Sequence, residues 1–235
     1  MSRRNAGGYM SRGEQIAGTV LFTLYLLVLP FAVKPLFRLV ELLLGLRLTD
    51  SAETLIYYYV LLAAVVIIFH GFLIRTSQRL LDNLDGAAKT LFAGLVALYG
   101  LNELAYRLIH AAVGARTNLN DITISARIEG APHATLLIVV FLAPFVEEVL
   151  FRGLVFGNLK GRSRAAAYLV SCALFALLHV WQFAVASRDV TYILLMVQYL
   201  VPGLVLAWAF EHSGTLWTSV ALHAAANALS VWTMM

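Results

Sequence analysis

Seven apolar segments of about 20 residues each constrain this chain to a fold embedded in a membrane. Each segment is long enough to cross a hydrocarbon core of ~30 Å, and 61% of the 235 residues are hydrophobic. Because the hydrocarbon offers no water to unpaired backbone groups, each segment is expected to be a helix. The sequence therefore predicts an all-α fold, a polytopic transmembrane helical bundle. The segments lie near residues 15–33, 54–74, 89–113, 134–158, 165–186, 190–211 and 215–233, with ends placed to within about 2–4 residues.

The stretch Lys34–Leu48 decides whether the bundle has seven or eight membrane helices. It is shorter than a membrane span, and the charged residues Lys34, Arg38, Glu41 and Arg47 stand among its leucines. This amphipathic pattern is typical of either an interfacial helix or a re-entrant eighth element.

The one long loop, residues 114–133, has a different pattern. Within it, Ile122–Ile128 alternates between apolar and polar side chains. Strict alternation of this kind predicts a short strand or an extended segment. The pattern does not assign a role to this loop.

Basic residues are divided unevenly between the two ends of the apolar segments. Cytoplasmic loops carry an excess of Lys and Arg, which predicts a cytoplasmic N-terminus. No small-residue cleavage site follows the first apolar segment, so we expect an uncleaved anchor. We therefore expect an integral, multi-pass protein of the plasma (inner) membrane, and we attribute the net charge of +4 to topology rather than to nucleic-acid binding. The nine basic residues on the N-terminal side are Arg3, Arg4, Arg12, Arg75, Arg79, Lys89, Lys160, Arg162 and Arg164, and the six on the other side are Lys34, Arg38, Arg47, Arg116, Arg127 and Arg188.

Two adjacent acids and an arginine lie inside the fourth apolar segment. A charge at the centre of a membrane helix costs roughly 2.5–3.5 kcal/mol on insertion scales, so such residues face protein or trapped water and often mark functional sites. Residues i and i+4 share a helix face, and Glu148 is therefore expected to pair with Arg152. Glu147 points about 100° away from Glu148 around the helix, which leaves its carboxylate freer.

Polar residues in the fifth and seventh segments are predicted to meet these acids. The fifth segment holds His179 one turn after Phe175, and the seventh holds His223 and Asn227 on a shared face. A rise of ~1.5 Å per residue places Glu147, His179 and His223 roughly 16, 21 and 13 Å from the predicted cytoplasmic edge. Within the error of the segment ends, the three side chains are expected to share one layer, with Asn227 a turn away.

This set of groups is suited to the hydrolysis of a peptide bond. A carboxylate beside a neutral imidazole in a low-dielectric cavity can activate water. An imidazole N–H and an amide on a facing helix can stabilise a developing oxyanion, at roughly 2.7–4 kcal/mol per donor. Such a site would need no covalent intermediate. Pro144 and Pro202 would loosen their helices and admit water or substrate.

Three short motifs on these segments resemble the signatures of a known family. EEVLFR (Glu147–Arg152), FALLH (Phe175–His179) and HAAAN (His223–Asn227) are similar to the EExxxR, FxxxH and HxxxN motifs of the CPBP family. That family comprises CAAX type II prenyl proteases and bacteriocin-processing or self-immunity membrane proteins. The resemblance implies an intramembrane glutamic endopeptidase.

The resemblance also implies a role for each motif residue. Glu147 would be the base that activates water, with the assistance of His179. His223 and Asn227 would stabilise the oxyanion. The residues that organise the site would be Glu148, Arg152 and Phe175, the last by packing against His179.

The motifs cover roughly residues 134–230, which divides the chain into two parts. We expect residues 134–235 to form the catalytic helical core and residues 1–133 to be accessory membrane helices, all within one integral membrane unit. No internal repeat is visible. Its absence weighs against a proton-coupled transporter that uses Glu147 and His179 as a relay.

Other interpretations of the same residues stay open. Buried ion pairs and interhelical hydrogen bonds can serve packing alone. Two Glu and two His could bind zinc, although no HExxH motif is present, and we expect neither a metal nor another cofactor. A catalytically silent scaffold or immunity protein is a third reading. The leading hypothesis is a protease that acts near the cytoplasmic leaflet, with the bilayer and a membrane-embedded or lipid-anchored peptide or protein as its partners.

Overall fold

The computed structural model of the protein describes residues 10–113, 119–188 and 190–234. The regular elements within these ranges are all helices, so the predicted all-α class is confirmed. The helices are α1 Arg12–Leu44, α2 Asp50–Ile68, α3 His70–Asp82, α4 Leu84–Val113, α5 Leu119–Gly130, α6 Pro132–Lys160, α7 Arg164–Ser187, α8 Met196–Ser213 and α9 Leu216–Met234, and a 3-10 turn at Val190–Leu195 precedes α8.

Five of the described helices are long and apolar enough to cross a membrane. They are α1, α2, the Leu84–Leu104 part of α4, α6 and α7. The protein is therefore an integral membrane helical bundle. The predicted sixth and seventh segments are also helical, as α8 and α9, but they are not among these five, so the count of seven to eight spans stays a prediction.

The amphipathic stretch that was predicted as a separate element is the end of α1. This helix continues without a break to Leu44 and ends at Gly45, whose φ of 64° is the left-handed conformation typical of a glycine cap. At 33 residues it is about 50 Å long, which exceeds the ~30 Å hydrocarbon core. The charged side chains from Lys34 onward thus lie in a part of α1 that is not required to cross the hydrocarbon core.

The extended segment predicted for Ile122–Ile128 is wrong, because these residues belong to helix α5. A seven-residue alternation is too short to exclude a helical period, and Ile124 and Ile128 also share a helix face. Ile128 is buried, and the following turn is tied back where Thr135 Oγ1 donates to the carbonyl of Arg127 at 3.0 Å. Residues 114–118 of the predicted loop lie outside the described ranges.

Helix α6 is the centre of the bundle and packs against α1, α2, α7, α8 and α9. Its middle is buried on all sides, as the full burial of Val146, Val149 and Phe151 indicates. Two wide π-helical segments, Leu137–Leu142 and Val149–Phe156, flank a short regular stretch, Ala143–Glu148. Interruptions of this kind re-aim side chains and are frequent at functional sites.

Candidate active site

A charge cluster lies at the centre of the bundle. Glu148 and Arg152 are 0% exposed, and the arginine donates from Nη1 to Glu148 Oε1 at 2.9 Å, which is the ion pair expected from their spacing. His223, on α9, places Nδ1 2.9 Å from the same carboxylate oxygen. Because an ionised carboxylate only accepts, the proton of this contact belongs to His223 Nδ1. Glu148 thus joins α6 to α9.

Arg152 is held by two further contacts. Its Nη2 donates to the backbone carbonyl of Gly203 on α8 at 3.1 Å. Its guanidinium carbon lies 4.3 Å from the centre of the Phe175 ring on α7, a cation–π contact. Arg152 and Glu148 together therefore join four helices, which suits a structural role for this pair.

The neighbouring acid has different surroundings. Glu147 is 6% exposed, yet its Oε2 has no hydrogen-bond partner among the described residues. His179 Nε2 lies 4.0 Å from that oxygen, too far for a direct hydrogen bond. The other oxygen, Oε1, is 3.5 Å from the hydroxyl of Tyr25 on α1. The expected contrast between a held and a freer carboxylate is present in the structure.

The orientation of His179 is set by its own helix. Nδ1 lies 2.9 Å from the carbonyl oxygen of Phe175, one turn earlier. A carbonyl only accepts, so Nδ1 carries the proton, and the Nε2 of a neutral ring carries the lone pair. The ring stacks on Tyr199 with centroids 4.4 Å apart and packs against the Phe175 ring at 4.6 Å. The lone pair of His179 is therefore presented to Glu147.

The side chain of Asn227 is held by the backbone carbonyl of Val139, which has no helical donor because Pro144 lacks an N–H. The π-helical register pairs each N–H with the carbonyl five residues earlier, as Ala143 N does with Ile138 O. Pro144 is next in this register but has no N–H, so Val139 O is left without its helical donor. Asn227 Nδ2 donates to that oxygen at 2.8 Å. The amide has a second N–H, which this contact does not use.

A cavity of about 510 Å³ connects these groups to the surface, and Glu147, His179, His223 and Asn227 all line it. Its other end is lined by exposed charged residues, among them Lys34 and Asp50, whose side chains are 67% and 88% exposed. The mouth therefore lies at the end of the bundle where α1 meets α2. This is the end opposite to Arg12 and to the turn between α6 and α7.

The position of the cavity mouth brings two expectations from the sequence into conflict: a cytoplasmic N-terminus, and cleavage near the cytoplasmic leaflet. A cytoplasmic N-terminus puts the connection between α1 and α2 outside the cytoplasm, because α1 runs from Arg12 on one side to Leu44 on the other. A cleavage site reached from the cytoplasmic leaflet needs the opposite orientation. The two expectations cannot both hold in this fold.

All seven predicted site residues come together, but several tyrosines near them were not predicted. Tyr25, Tyr57 and Tyr58 line the cavity from α1 and α2, and Tyr199 stacks on His179 from α8. They carry no motif spacing, so the sequence offered no signal for them beyond their place in apolar segments.

A zinc site would need at least three possible ligands close together. Within the described residues, no group of three or more His, Cys, Asp and Glu side chains is arranged to hold a metal ion. The lone cysteine, Cys172, is buried and free. The carboxylate of Glu148 is already paired with Arg152. A zinc ligand would instead need a carboxylate without a cation bound to it.

Comparisons with known proteins bear on the same region. A model of the type II CAAX prenyl endopeptidase Rce1-like family matches residues 129–229, which include all three motifs. Comparison with curated proteins and with solved structures gave no match. The matched segment contains α6 to α8, most of α9 and every charged group of the cluster. Residues 129–229 of this membrane protein are therefore similar to the Rce1-like family of type II CAAX prenyl endopeptidases.

Proposed function

We propose that this protein is an intramembrane glutamic endopeptidase that hydrolyses a peptide bond of a membrane-embedded or lipid-anchored substrate. The observation that carries the proposal is the pair formed by Glu147 and His179. A buried carboxylate oxygen without a partner faces an imidazole lone pair at 4.0 Å, on the wall of a cavity that reaches the surface. Buried polar atoms are normally paired, and an unpaired one in a cavity suits catalysis better than packing.

The 4.0 Å separation has the right size for an attacking water. A water that donates to both atoms at ~2.8 Å subtends an angle of about 90° between them, close to its natural geometry. Both hydrogens would then point at Glu147 and His179, and a lone pair would face the substrate carbonyl. In the reaction Glu147 takes one proton as the water oxygen bonds to the carbonyl carbon. The same proton then passes to the leaving nitrogen as the C–N bond breaks, which leaves an acid and an amine.

His223 and Asn227 are the proposed oxyanion donors. Asn227 has its second amide N–H free of the Val139 contact. With Nδ1 donating to Glu148, His223 can donate to an oxyanion only from Nε2, which then also carries a proton.

The N-terminal and C-terminal parts of the chain would have different roles. We propose that α6 to α9 carry the chemistry, with Glu148, Arg152 and Phe175 as organising residues. Helices α1, α2 and α5 would form the substrate-facing walls, since they line the outer part of the cavity. We further propose that α8 and α9 cross the membrane with the five apolar helices, which makes seven spans.

We place the protein in the plasma (inner) membrane with a cytoplasmic N-terminus, on the distribution of basic residues. In this orientation the cavity opens on the non-cytoplasmic side. Substrates would be segments that are anchored in the bilayer and reach the site from that face.

Cleavage assays with matched variants test the proposal. Wild type, Glu147→Gln and Glu103→Gln are incubated in liposomes with co-expressed membrane peptides of the host, and products are identified by mass spectrometry. Glu103 is an exposed acid on α4 that pairs with Arg107 at 2.7 Å, so its substitution controls for charge loss. We expect cleavage by wild type and Glu103→Gln and loss of at least about 100-fold in Glu147→Gln. Equal cleavage by all three proteins would overturn the proposal.

Two alternatives predict other results. A zinc protease that uses the same residues would lose activity on chelation and regain it with zinc. A non-catalytic scaffold or immunity protein would cleave nothing, and its biological effect would be the same in Glu147→Gln as in wild type.

A further inference from the structure

The phenol of Tyr25 is the one described donor that reaches the carboxylate of Glu147, and no motif or family match includes it. The hydroxyl lies 3.5 Å from Glu147 Oε1, and the tyrosine is 5% exposed. It stands 122 positions away in the chain, on α1 and outside residues 129–229 that match the family. Glu148, by comparison, has both Arg152 and His223 on one oxygen.

The backbone of α1 is adapted at this point. Leu24–Val28 is a π-helical segment inside an otherwise regular helix, and Tyr25 is its second residue. Such a widened turn changes the direction of a side chain relative to the rest of the helix. Just before it, the rings of Phe22 and Phe151 meet edge to face at 5.3 Å, which fixes α1 against α6 beside the two acids. The local geometry therefore holds Tyr25 at Glu147.

Further phenols, from α2, lie on the same cavity wall as Tyr25. The rings of Tyr57 and Tyr58 are in edge contact at 5.2 Å. All three tyrosines line the cavity. The hydroxyl of Tyr25 thus lies in a group of phenols on the cavity wall, and its hydrogen-bond partner is the carboxylate of Glu147.

We infer that Tyr25 is a positioning residue of the active site, which binds Glu147 Oε1 so that Oε2 faces the water shared with His179. The inference rests on the proposed function, since it concerns the geometry of the proposed base. A hydrogen bond to one oxygen restricts rotation of the carboxylate about its bond to the side chain. The second oxygen therefore stays at 4.0 Å from His179 Nε2. Tyr25 itself touches no reacting atom, so its loss lowers turnover and leaves substrate binding unchanged.

Steady-state kinetics of four proteins test this role: wild type, Tyr25→Phe, Tyr59→Phe and Glu147→Gln. Phenylalanine keeps the ring and removes the hydroxyl. Tyr59 is 50% exposed on α2 and controls for loss of a hydroxyl elsewhere. Rates are normalised to folded protein, measured by size-exclusion chromatography and thermal unfolding. We expect kcat of Tyr25→Phe to fall roughly 10-fold or more, as for loss of a hydrogen bond to a charged group, with KM within about twofold and an unchanged melting temperature.

The outcomes separate this inference from the proposed function. If Glu147→Gln is inactive while Tyr25→Phe turns over within twofold of wild type, Tyr25 has no positioning role and the proposed function stands. A rise in KM at unchanged kcat also overturns the inference, because it makes Tyr25 a substrate contact. Full activity in Glu147→Gln overturns the proposed function and the role of Tyr25 with it.

Discussion

Two adjacent glutamates in this protein differ in the contacts of Oε1, although the Oε2 of each is buried without a hydrogen-bond partner among the described residues. Glu148 is 0% exposed and is bound by Arg152 and His223 through one oxygen. Glu147 has one long contact to a phenol and an unpaired oxygen in the cavity. The first arrangement favours stability, and the second leaves a carboxylate available for chemistry.

Stability measurements on paired alanine variants test this division. Glu148→Ala leaves Arg152 as a buried charge without its counter-ion, which costs roughly 3–5 kcal/mol of unfolding free energy. Glu147→Ala removes a buried carboxylate whose one hydrogen bond is the long contact to Tyr25, and we expect a change of about 1 kcal/mol or less. Denaturation midpoints in detergent micelles compare the two. A loss of stability in Glu147→Ala equal to that in Glu148→Ala would contradict the division.

At the scale of helices, α6 is positioned by a close approach of α1. A Cβ added at Gly18 would lie 2.5 Å from Cζ of Phe69 and 3.1 Å from Cδ1 of Leu154. Phe69 is fully buried and cannot move aside. The absence of a side chain at Gly18 therefore lets α1 contact both the end of α2 and the π-helical part of α6, about two turns before Tyr25.

Alanine at two glycines of α1 tests this packing. We expect Gly18→Ala to lower the free energy of unfolding by about 1–3 kcal/mol, as overpacking in a filled core does. Gly13→Ala is the matched control on the same helix, because nothing lies within 4 Å of its added Cβ. Thermal unfolding in the same detergent compares the variants. A Gly18→Ala protein as stable as the control would show that α1 can move away from α6.

The sequence predicted those elements that follow from spacing along one helix. The Glu148–Arg152 pair and the shared face of His223 and Asn227 are i, i+4 relations, and their burial follows from the apolar segments around them. The contact of Tyr25 with Glu147 joins residues 122 positions apart, and no local pattern encodes it.

Backbone irregularities also escaped prediction. Hydrophobic length does not distinguish a π-helical turn from a regular one, so the widened turns of α1 and α6 were not foreseen. The unbroken course of α1 through Lys34 was not foreseen either, because lysine, arginine and glutamate among leucines are all good helix formers and mark no helix end. The free carbonyl of Val139 follows from Pro144 only once the π-helical register is known.

At the scale of the whole molecule, the cavity opens at one end of the helical bundle. Its mouth lies beside the connection between α1 and α2, and the connection between α6 and α7 is at the opposite end. Helix α6 has 29 residues and is about 43 Å long, so the two ends are on different sides of a ~30 Å hydrocarbon core. The orientation of the chain thus decides which compartment supplies the substrate.

Cysteine labelling in intact cells measures this orientation. In a Cys172→Ser background, single cysteines replace Leu46 near the mouth and Gly161 at the opposite end, both of which are exposed. With a cytoplasmic N-terminus, a membrane-impermeant maleimide labels Leu46→Cys in intact cells and Gly161→Cys only after lysis. The reverse pattern would place the mouth, and cleavage, on the cytoplasmic side.

The most direct test of the central claim is the rate of peptide cleavage by metal-stripped protein, compared between wild type and Glu147→Gln. Both are purified with a strong chelator, reconstituted in liposomes and given one substrate that the wild type cleaves. The account predicts an undiminished rate for the chelated wild type and loss of at least about 100-fold for Glu147→Gln. Loss of wild-type activity on chelation, restored by zinc, or an undiminished rate in Glu147→Gln would contradict it.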